Sequence, residues 1–178
     1  GKAKSKKTFN VSAMVAAAVT NTTVLNYRAC LPEGKRNILY FDTEQSKYHC
    51  HTVLERIYKL SGLSLKQDDP RLMFWGLREY TPKLRIAVID YALRKYEGVG
   101  LVIIDGLRDL MYDINNGKEA TDVMTVLMEW TSVYDLHIHT VLHLNKNDNN
   151  PRGHIGTELE NKAETVLIIS KNNQNNSV

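Results

Sequence analysis

The chain is poor in features that each mark a class of protein. It has two cysteines, Cys30 and Cys50, among 178 residues, too few for a disulfide framework, so we expect a reducing, cytoplasmic setting. No apolar run approaches the ~18 residues that would span a bilayer, so we expect no membrane partner. Excess charge is also small: 23 Lys and Arg against 20 Asp and Glu give a net charge of +3, which permits nucleic-acid contact without arguing for it. The remaining composition is that of a globular domain with a substantial core.

What the sequence does contain begins at its first residue, with a lysine-rich octapeptide. Gly1, Lys7 and Thr8 fit the pattern G-x-x-x-x-G-K-[ST], and Lys6 stands where the second glycine belongs. In this pattern backbone N–H groups surround phosphates, the lysine reaches the β- and γ-phosphates, and the hydroxyl binds Mg²⁺. The pattern predicts a phosphate-binding loop that binds ATP and Mg²⁺. Its residues are Gly1, Lys2, Ala3, Lys4, Ser5, Lys6, Lys7 and Thr8.

The octapeptide also fits a disordered basic tail, because four of its first seven residues are lysines. The small, apolar residues 9–19 argue against this, since they favour a helix whose N-terminal dipole points at the anion. If position 6 needs a left-handed backbone, a side chain there costs on the order of 1 kcal/mol. A phosphate loop normally follows a buried strand, and residues 1–178 do not include such a strand. We therefore expect residues 1–178 to be a single domain that belongs to a longer protein.

Strand-like and helix-like segments alternate along the rest of the chain. Expected strands are 38–41, 71–75, 99–105, 137–144 and 165–169, and expected helices begin at residues 47, 82 and 118. The helix after Pro82 carries the apolar stripe Leu84, Val88, Tyr91 and Ala92. The continuous apolar run 99–104 is typical of a central parallel strand covered on both faces. The alternation predicts an α/β fold with a doubly wound, mostly parallel sheet.

Polar residues follow the expected strands, at the edge of the sheet where such folds bind ligands. Asp105 ends an apolar strand like a Walker B acid that orients Mg²⁺, although an acid before Gly106 also caps turns. Glu44 is a candidate base that activates water, or a first-turn glutamate favoured by a helix dipole. His143 and Asn145 are candidate γ-phosphate sensors, or ordinary polar loop residues.

Further charged residues support weaker predictions. Arg152 is a candidate charge-stabilising finger across a subunit interface, with Lys146 and Arg108 as equal alternatives. Loops 106–118 and 146–157 are candidate DNA-binding loops with few basic residues. The sequence His49-Cys50-His51 lacks zinc spacing, so no metal other than nucleotide Mg²⁺ is expected. Asp109 and Asp113 are expected to be solvated.

Taken together, the motifs resemble the RecA-like P-loop ATPases, in particular the AAA-25 branch with the plasmid replicative, DnaB-like helicases. The resemblance rests on GKAKSKKTF, ILYFDTEQS, LVIIDGLRDL, HTVLHLNKND and RGHIGTELENKAETVLIIS. It implies that Lys7 and Thr8 bind phosphate and Mg²⁺, that Glu44 is the catalytic acid, Asp105 the Walker B residue and His143 the sensor. It further implies a homo-oligomer, often a hexameric ring, that acts on DNA, and a role in replication or mobilisation of a mobile element.

Two other functions fit the same residues. Lys2 stands where partitioning ATPases of the ParA/MinD type carry a signature lysine, although Ala3 and Lys4 replace two glycines of that pattern. The altered loop at Lys6 also fits a domain that binds nucleotide without hydrolysing it and serves as a DNA-binding or scaffold protein. Retention of Glu44, Asp105 and His143 argues against this last function.

Overall fold

A computed structural model of the chain describes residues 6–144 and 153–170. The strands are β1 (Thr23–Val24), β2 (Tyr27–Arg28), β3 (Asn37–Asp42), β4 (Leu72–Gly76), β5 (Val99–Asp105) and β6 (His137–Val141). The helices are α1 (Lys7–Thr20), α2 (Lys47–Ser61), α3 (Pro82–Lys95), α4 (Gly117–Tyr134) and α5 (Gly153–Lys162), with a 3-10 helix at Leu107–Leu110. Within the described residues, no helix combines the length and the hydropathy that crossing a bilayer requires.

Strands β3 to β6 form one parallel sheet in the order β4-β3-β5-β6. The register places Asp42 of β3 directly beside Asp105 of β5. All four strands therefore end at the same edge, and the residues that follow β3, β5 and β6 are brought close together. Strands β1 and β2 form a separate antiparallel hairpin that packs against α1.

Side chains alternate across β5 and so divide the core into two layers. Val102 and Ile104 pack with α3 and α4, whereas Leu101 and Ile103 pack with α1 and α2 on the opposite face. Because successive strand residues point to opposite faces, a strand covered on both sides must be apolar throughout. The predicted α/β, doubly wound fold is confirmed. The predicted helix starts at 47, 82 and 118 lie within one residue of those observed.

The apolar stripe predicted for α3 was right for Val88 and Ala92 and wrong for Leu84 and Tyr91. Leu84 and Tyr91 are 45% and 62% exposed, whereas Ile89, Ala92 and Leu93 are buried and Val88 packs against the same core cluster. Positions 89, 92 and 93 also have helical spacing, so α3 carries two overlapping apolar stripes that are offset by about one residue. Periodicity alone does not decide which stripe faces the sheet. Packing of the helix against β5 and α4 decides it.

The last two predicted strands also need correction. Strand β6 ends at Val141 rather than at residue 144, and residues 165–169 are not a strand. Val166, Leu167 and Ile168 are instead 50–60% exposed. Their composition favours a strand, but a strand forms only with a hydrogen-bonded neighbour. In the described part of the chain no strand pairs with them.

Candidate functional site

The turns at the carboxyl edge of the sheet meet the N-terminus of α1 around one cavity. The cavity has a volume of about 540 Å³. Four groups of predicted site residues line it: the start of α1, the turn after β3, the end of β5 and the segment after β6. They are Lys6, Lys7, Thr8, Glu44, Asp105 and His143. The structure therefore brings together all the predicted site residues that it describes.

Lys6 precedes α1 in a left-handed backbone conformation, with φ 61° and ψ 29°. This is the region that favours glycine, and a side chain in it costs on the order of 1 kcal/mol. The backbone of this turn thus has the conformation that a glycine adopts freely, although lysine occupies it. The substitution changes the charge beside the cavity and leaves the turn into α1 intact.

Lys7, His143 and Glu44 form a hydrogen-bonded chain across the cavity. The Lys7 Nζ lies 3.0 Å from His143 Nδ1, and His143 Nε2 lies 3.3 Å from Glu44 Oε2. An ammonium group only donates hydrogen bonds, so Nδ1 must accept and the imidazole proton must sit on Nε2, facing the carboxylate. The imidazole of His143 therefore connects Lys7 to Glu44 through its two ring nitrogens.

The surroundings set the protonation of both ends of this chain. The hydrogen bond from His143 lowers the pKa of Glu44, burial opposes this, and the positive charges of Lys7 and Arg108 lower the pKa further. Burial lowers the pKa of Lys7, while Glu44 and Asp105 raise it. Glu44 is consequently a carboxylate at neutral pH. A bound anion beside Lys7 would favour the charged form of this lysine, which burial disfavours.

Asp105 is buried at the end of β5 and presents its carboxylate between two hydroxyl groups. Tyr40 donates a hydrogen bond to Asp105 Oδ2 at 2.9 Å, and the Thr8 hydroxyl also bonds to the carboxylate. Burial raises the pKa of Asp105, and the bonds from Tyr40 and Thr8 oppose this. A carboxylate next to a hydroxyl is the hard oxygen donor set that Mg²⁺ prefers, so the residues present fit this ion.

Asp42, at the end of β3, is completely buried and has a different set of partners. Its Oδ1 accepts from the backbone N–H groups of Glu44 at 3.0 Å and Gln45 at 2.8 Å, and its Oδ2 accepts from Gln45 Nε2 at 2.9 Å. Burial raises its pKa to about 6. Asp42 therefore builds the turn that carries Glu44 and does not itself line the cavity.

A buried hydroxyl joins the turns after β3 and β5. Thr43 Oγ1 lies at hydrogen-bonding distance from three acceptors, to any of which its hydroxyl can donate. They are the Asp105 carbonyl at 3.1 Å, the Gly106 carbonyl at 2.8 Å and Asp109 Oδ2 at 3.1 Å. Asp109 is therefore half-buried and engaged, so the expectation that it is solvated was wrong. Thr43 was not predicted as a site residue, because its hydrogen-bond partners after β5 become neighbours only in the folded sheet.

Several predicted site residues lie outside the described part of the chain. They are Gly1, Lys2, Ala3, Lys4, Ser5, Asn145, Lys146 and Arg152. Arg108, an alternative to Arg152, is exposed on the 3-10 helix after β5, near enough to Glu44 to lower its pKa. Among the described residues, no cluster of three or more His, Cys, Asp or Glu side chains could hold a metal ion.

Comparison with known protein families gives a match over most of the chain. A family model described as an AAA domain, of the AAA-25 group, matches residues 1–149. This range contains α1, every strand of the sheet and all the cavity residues named above. The parallel sheet with helices on both faces is consistent with a RecA-like P-loop NTPase core. No curated protein matches the chain.

Proposed function

The chain belongs to the AAA-25 family of AAA domains, and on this basis we propose that it is a Mg²⁺-dependent ATPase of the RecA-like, DnaB-related branch. The family itself supports nucleotide binding and ATP use. The observation that supports ATP hydrolysis is the chain of contacts Lys7–His143–Glu44 across the cavity. It joins a phosphate-binding cation to a carboxylate through one imidazole.

In the proposed site, the N-terminus of α1 and the lysines bind the phosphates. Backbone N–H groups of residues 1–8 surround the anion, and Lys7 contacts the β- and γ-phosphates. Lys6 adds a second ammonium group at the cavity wall. Thr8 and Asp105 hold Mg²⁺, which neutralises charge that develops on the phosphates.

Glu44 is the proposed general base. Its lowered pKa keeps it ionised, so it can accept the proton of a water molecule that attacks the γ-phosphate. His143 is the proposed sensor. When a phosphate draws Lys7 away, His143 Nδ1 loses its donor and the imidazole can turn toward the γ-phosphate, which releases Glu44 to the water. Asn145 is proposed to assist this sensing.

The finer biological role is also a proposal. By family resemblance the domain acts on DNA in the cytoplasm as a homo-oligomer, with Arg152 of one protomer completing the site of the next, and serves replication or mobilisation of a mobile element. The region 1–178 is proposed to be one domain of that assembly.

The deciding experiment measures ATP binding and hydrolysis with Mg²⁺, with and without single-stranded DNA. The variant is Glu44→Gln, and Glu129→Gln on the exposed side of α4 is the matched control. We expect DNA-stimulated turnover that Glu44→Gln abolishes, with ATP binding retained, and that Glu129→Gln leaves unchanged. Turnover that survives Glu44→Gln would exclude Glu44 as the base.

The second candidate is a domain that binds ATP without hydrolysing it. Lysine in the left-handed position 6 favours this function, because an extra ammonium beside the phosphates can compete with Lys7. Tight ATP binding without turnover in the natural protein, together with turnover restored by Lys6→Gly, would establish it. Loss of activity in Lys2→Ala but not in Glu44→Ala would instead support the partitioning type.

A further inference from the structure

The hairpin formed by β1 and β2 contacts the start of α1 through one tyrosine. Val24 pairs with Tyr27 across the hairpin, which therefore closes with a two-residue turn. The Tyr27 hydroxyl donates a hydrogen bond of 2.7 Å to Asn10 Oδ1 on α1. Both side chains are half-buried. Neither Tyr27 nor Asn10 has a role in the hydrolysis proposed above, so the contact between them needs another explanation.

Asn10 links this hairpin to the turn that precedes α1. Its side-chain Nδ2 donates to the Lys6 carbonyl at 3.0 Å, and its backbone N–H donates to the same carbonyl at 3.2 Å. The carbonyl oxygen has two lone pairs, and each of them can accept one of these bonds. Because a carbonyl only accepts, the Asn10 amide must present its nitrogen to Lys6 and its oxygen to Tyr27. Partners at both ends therefore hold the Asn10 side chain in one orientation.

The two bonds from Asn10 also orient the backbone group that follows Lys6. A peptide unit is planar and trans, so the Lys7 N–H points in the opposite direction from the Lys6 carbonyl of the same unit. The N–H groups in the first turn of a helix point out of its N-terminus and bind anions there. Holding the Lys6 carbonyl in place therefore holds the Lys7 N–H in the direction that phosphate binding requires.

Lys6 is also the position where the phosphate motif departs from its pattern. Its φ of 61° lies in the left-handed region, which glycine adopts freely and which a residue with a side chain adopts at an energetic cost. The Lys6 side chain makes no capping hydrogen bond to α1 that could offset this cost. A hydrogen bond from a neighbouring side chain contributes a free energy of similar size. The Asn10 side chain can therefore stabilise the turn that glycine would adopt without help.

We propose that Asn10, held by Tyr27 of the β1–β2 hairpin, is a positioning residue that keeps the turn at Lys6 in its anion-binding conformation. This inference rests on the proposed function, because it concerns the affinity of that turn for phosphate. It goes beyond the proposed function by giving the hairpin a role and by explaining how this chain binds phosphate with lysine at position 6. Asn10 and Tyr27 act through the backbone of Lys6 and not by contact with the nucleotide.

The test is a double-mutant cycle between positions 10 and 6, in which isothermal titration of the full chain measures the affinity for Mg-ATP. We expect Asn10→Ala to weaken binding about fivefold, the equivalent of one hydrogen bond, because fewer molecules then hold the turn ready for phosphate. In the Lys6→Gly background the same change should weaken binding less than about twofold, since glycine adopts the left-handed conformation without help. A residue that only stabilises the fold would give equal losses in both backgrounds.

Tyr27→Phe tests the contribution of the hairpin, because it removes the hydroxyl and keeps the ring. It should weaken Mg-ATP binding about threefold in the natural chain and not in the Lys6→Gly background. Tyr91→Phe, at an exposed tyrosine of α3, is the matched control and should leave binding unchanged.

The outcomes separate this inference from the proposed function. Unchanged binding in Asn10→Ala or in Tyr27→Phe would overturn the inference, and so would equal losses in both backgrounds. Failure of the natural protein to bind Mg-ATP would overturn the proposed function, and this inference with it. If Asn10→Ala does not fold, the cycle is measured between Tyr27→Phe and Lys6→Gly, and the same comparison of backgrounds decides.

Discussion

Asp42 and Asp105 end neighbouring strands in the same register, and both are buried, yet the turns around them differ in their contacts. Asp42 accepts three hydrogen bonds from the residues that directly follow it. Asp105 is bonded by Tyr40 and Thr8, which lie 65 and 97 residues away in sequence, and it lines the cavity. A carboxylate satisfied by its own turn has a structural role, whereas one held by distant hydroxyl groups remains available to a ligand.

The largest expected effect separates the two acids by activity. Asp105→Asn should lower the ATP hydrolysis rate roughly 10³-fold, because it removes a charge aimed at the Mg²⁺ and phosphate region. Asp42→Asn should leave the rate within the same order of magnitude, since the remaining amide oxygen still accepts from the backbone of Glu44 and Gln45. Steady-state kinetics with saturating Mg²⁺ measures both. Equal losses in the two variants would contradict the distinction.

The next effect is a loss of protein stability when the turn after β5 is altered. Gly106 has φ 113°, and a Cβ there would lie 2.1 Å from Thr43 Oγ1. Gly106→Ala should therefore destabilise the protein by about 3 to 4 kcal/mol, combining backbone strain with a steric clash. Gly34→Ala is the matched control: its φ is 78° and nothing lies within 4 Å, so it should cost only about 1 kcal/mol. Urea denaturation gives both values, and equal costs would mean that the Thr43 hydroxyl moves aside freely.

The structural role of Asp42 predicts a smaller loss of stability. Asp42→Ala leaves three partly buried donors of Glu44 and Gln45 without their acceptor and should cost about 3 kcal/mol of unfolding free energy. Asp42→Asn should cost less than about 1 kcal/mol, because the side-chain amide of Gln45 can turn to face the new amide. Chemical denaturation at pH 7 distinguishes them. A large loss in both variants would show that the charge itself stabilises the turn.

The smallest effect is a pH dependence. The folded protein raises the pKa of Asp42 from 3.8 to about 6, so the folded state binds this proton more readily than the unfolded state does. The resulting stabilisation is fully present below pH 3.8 and is lost as the pH rises through 6. Relative to Asp42→Asn, the natural protein should therefore gain on the order of 2 kcal/mol between pH 7 and pH 4. A constant difference between the two proteins across this range would contradict the shift.

Prediction from sequence succeeded where a local pattern reflects a local cause. The helix start at 82 follows from Pro82, which is favoured in the first turn, and the Thr81 side chain caps this turn by accepting from the Leu84 N–H. It failed where the cause is a distant neighbour. Residues 165–169 have strand composition, but none of the described strands pairs with them. The two-residue strands β1 and β2 are too short to show periodicity.

The candidate site shows the same division. Lys7, Thr8, Glu44, Asp105 and His143 were named as candidates from motif spacing and strand ends, and the structure places them around one cavity. Their roles stay predictions. Sequence reasoning missed Tyr40 and Thr43, although both stand in the quoted segment ILYFDTEQS. Their only signal was a polar atom on a predicted core strand or directly after it.

By itself, the sequence determined the doubly wound α/β fold, because the 2- and 3.6-residue periods of apolar side chains decide which segments form strands and which form helices. It also determined the positive charge of Lys6 and Lys7 at the start of α1. Only the tertiary structure decided which of the two neighbouring buried aspartates, Asp42 and Asp105, lines the cavity and which stripe of α3 is buried. Those outcomes depend on contacts between residues far apart in the chain, and such contacts exist only once the sheet has set its strand order and register.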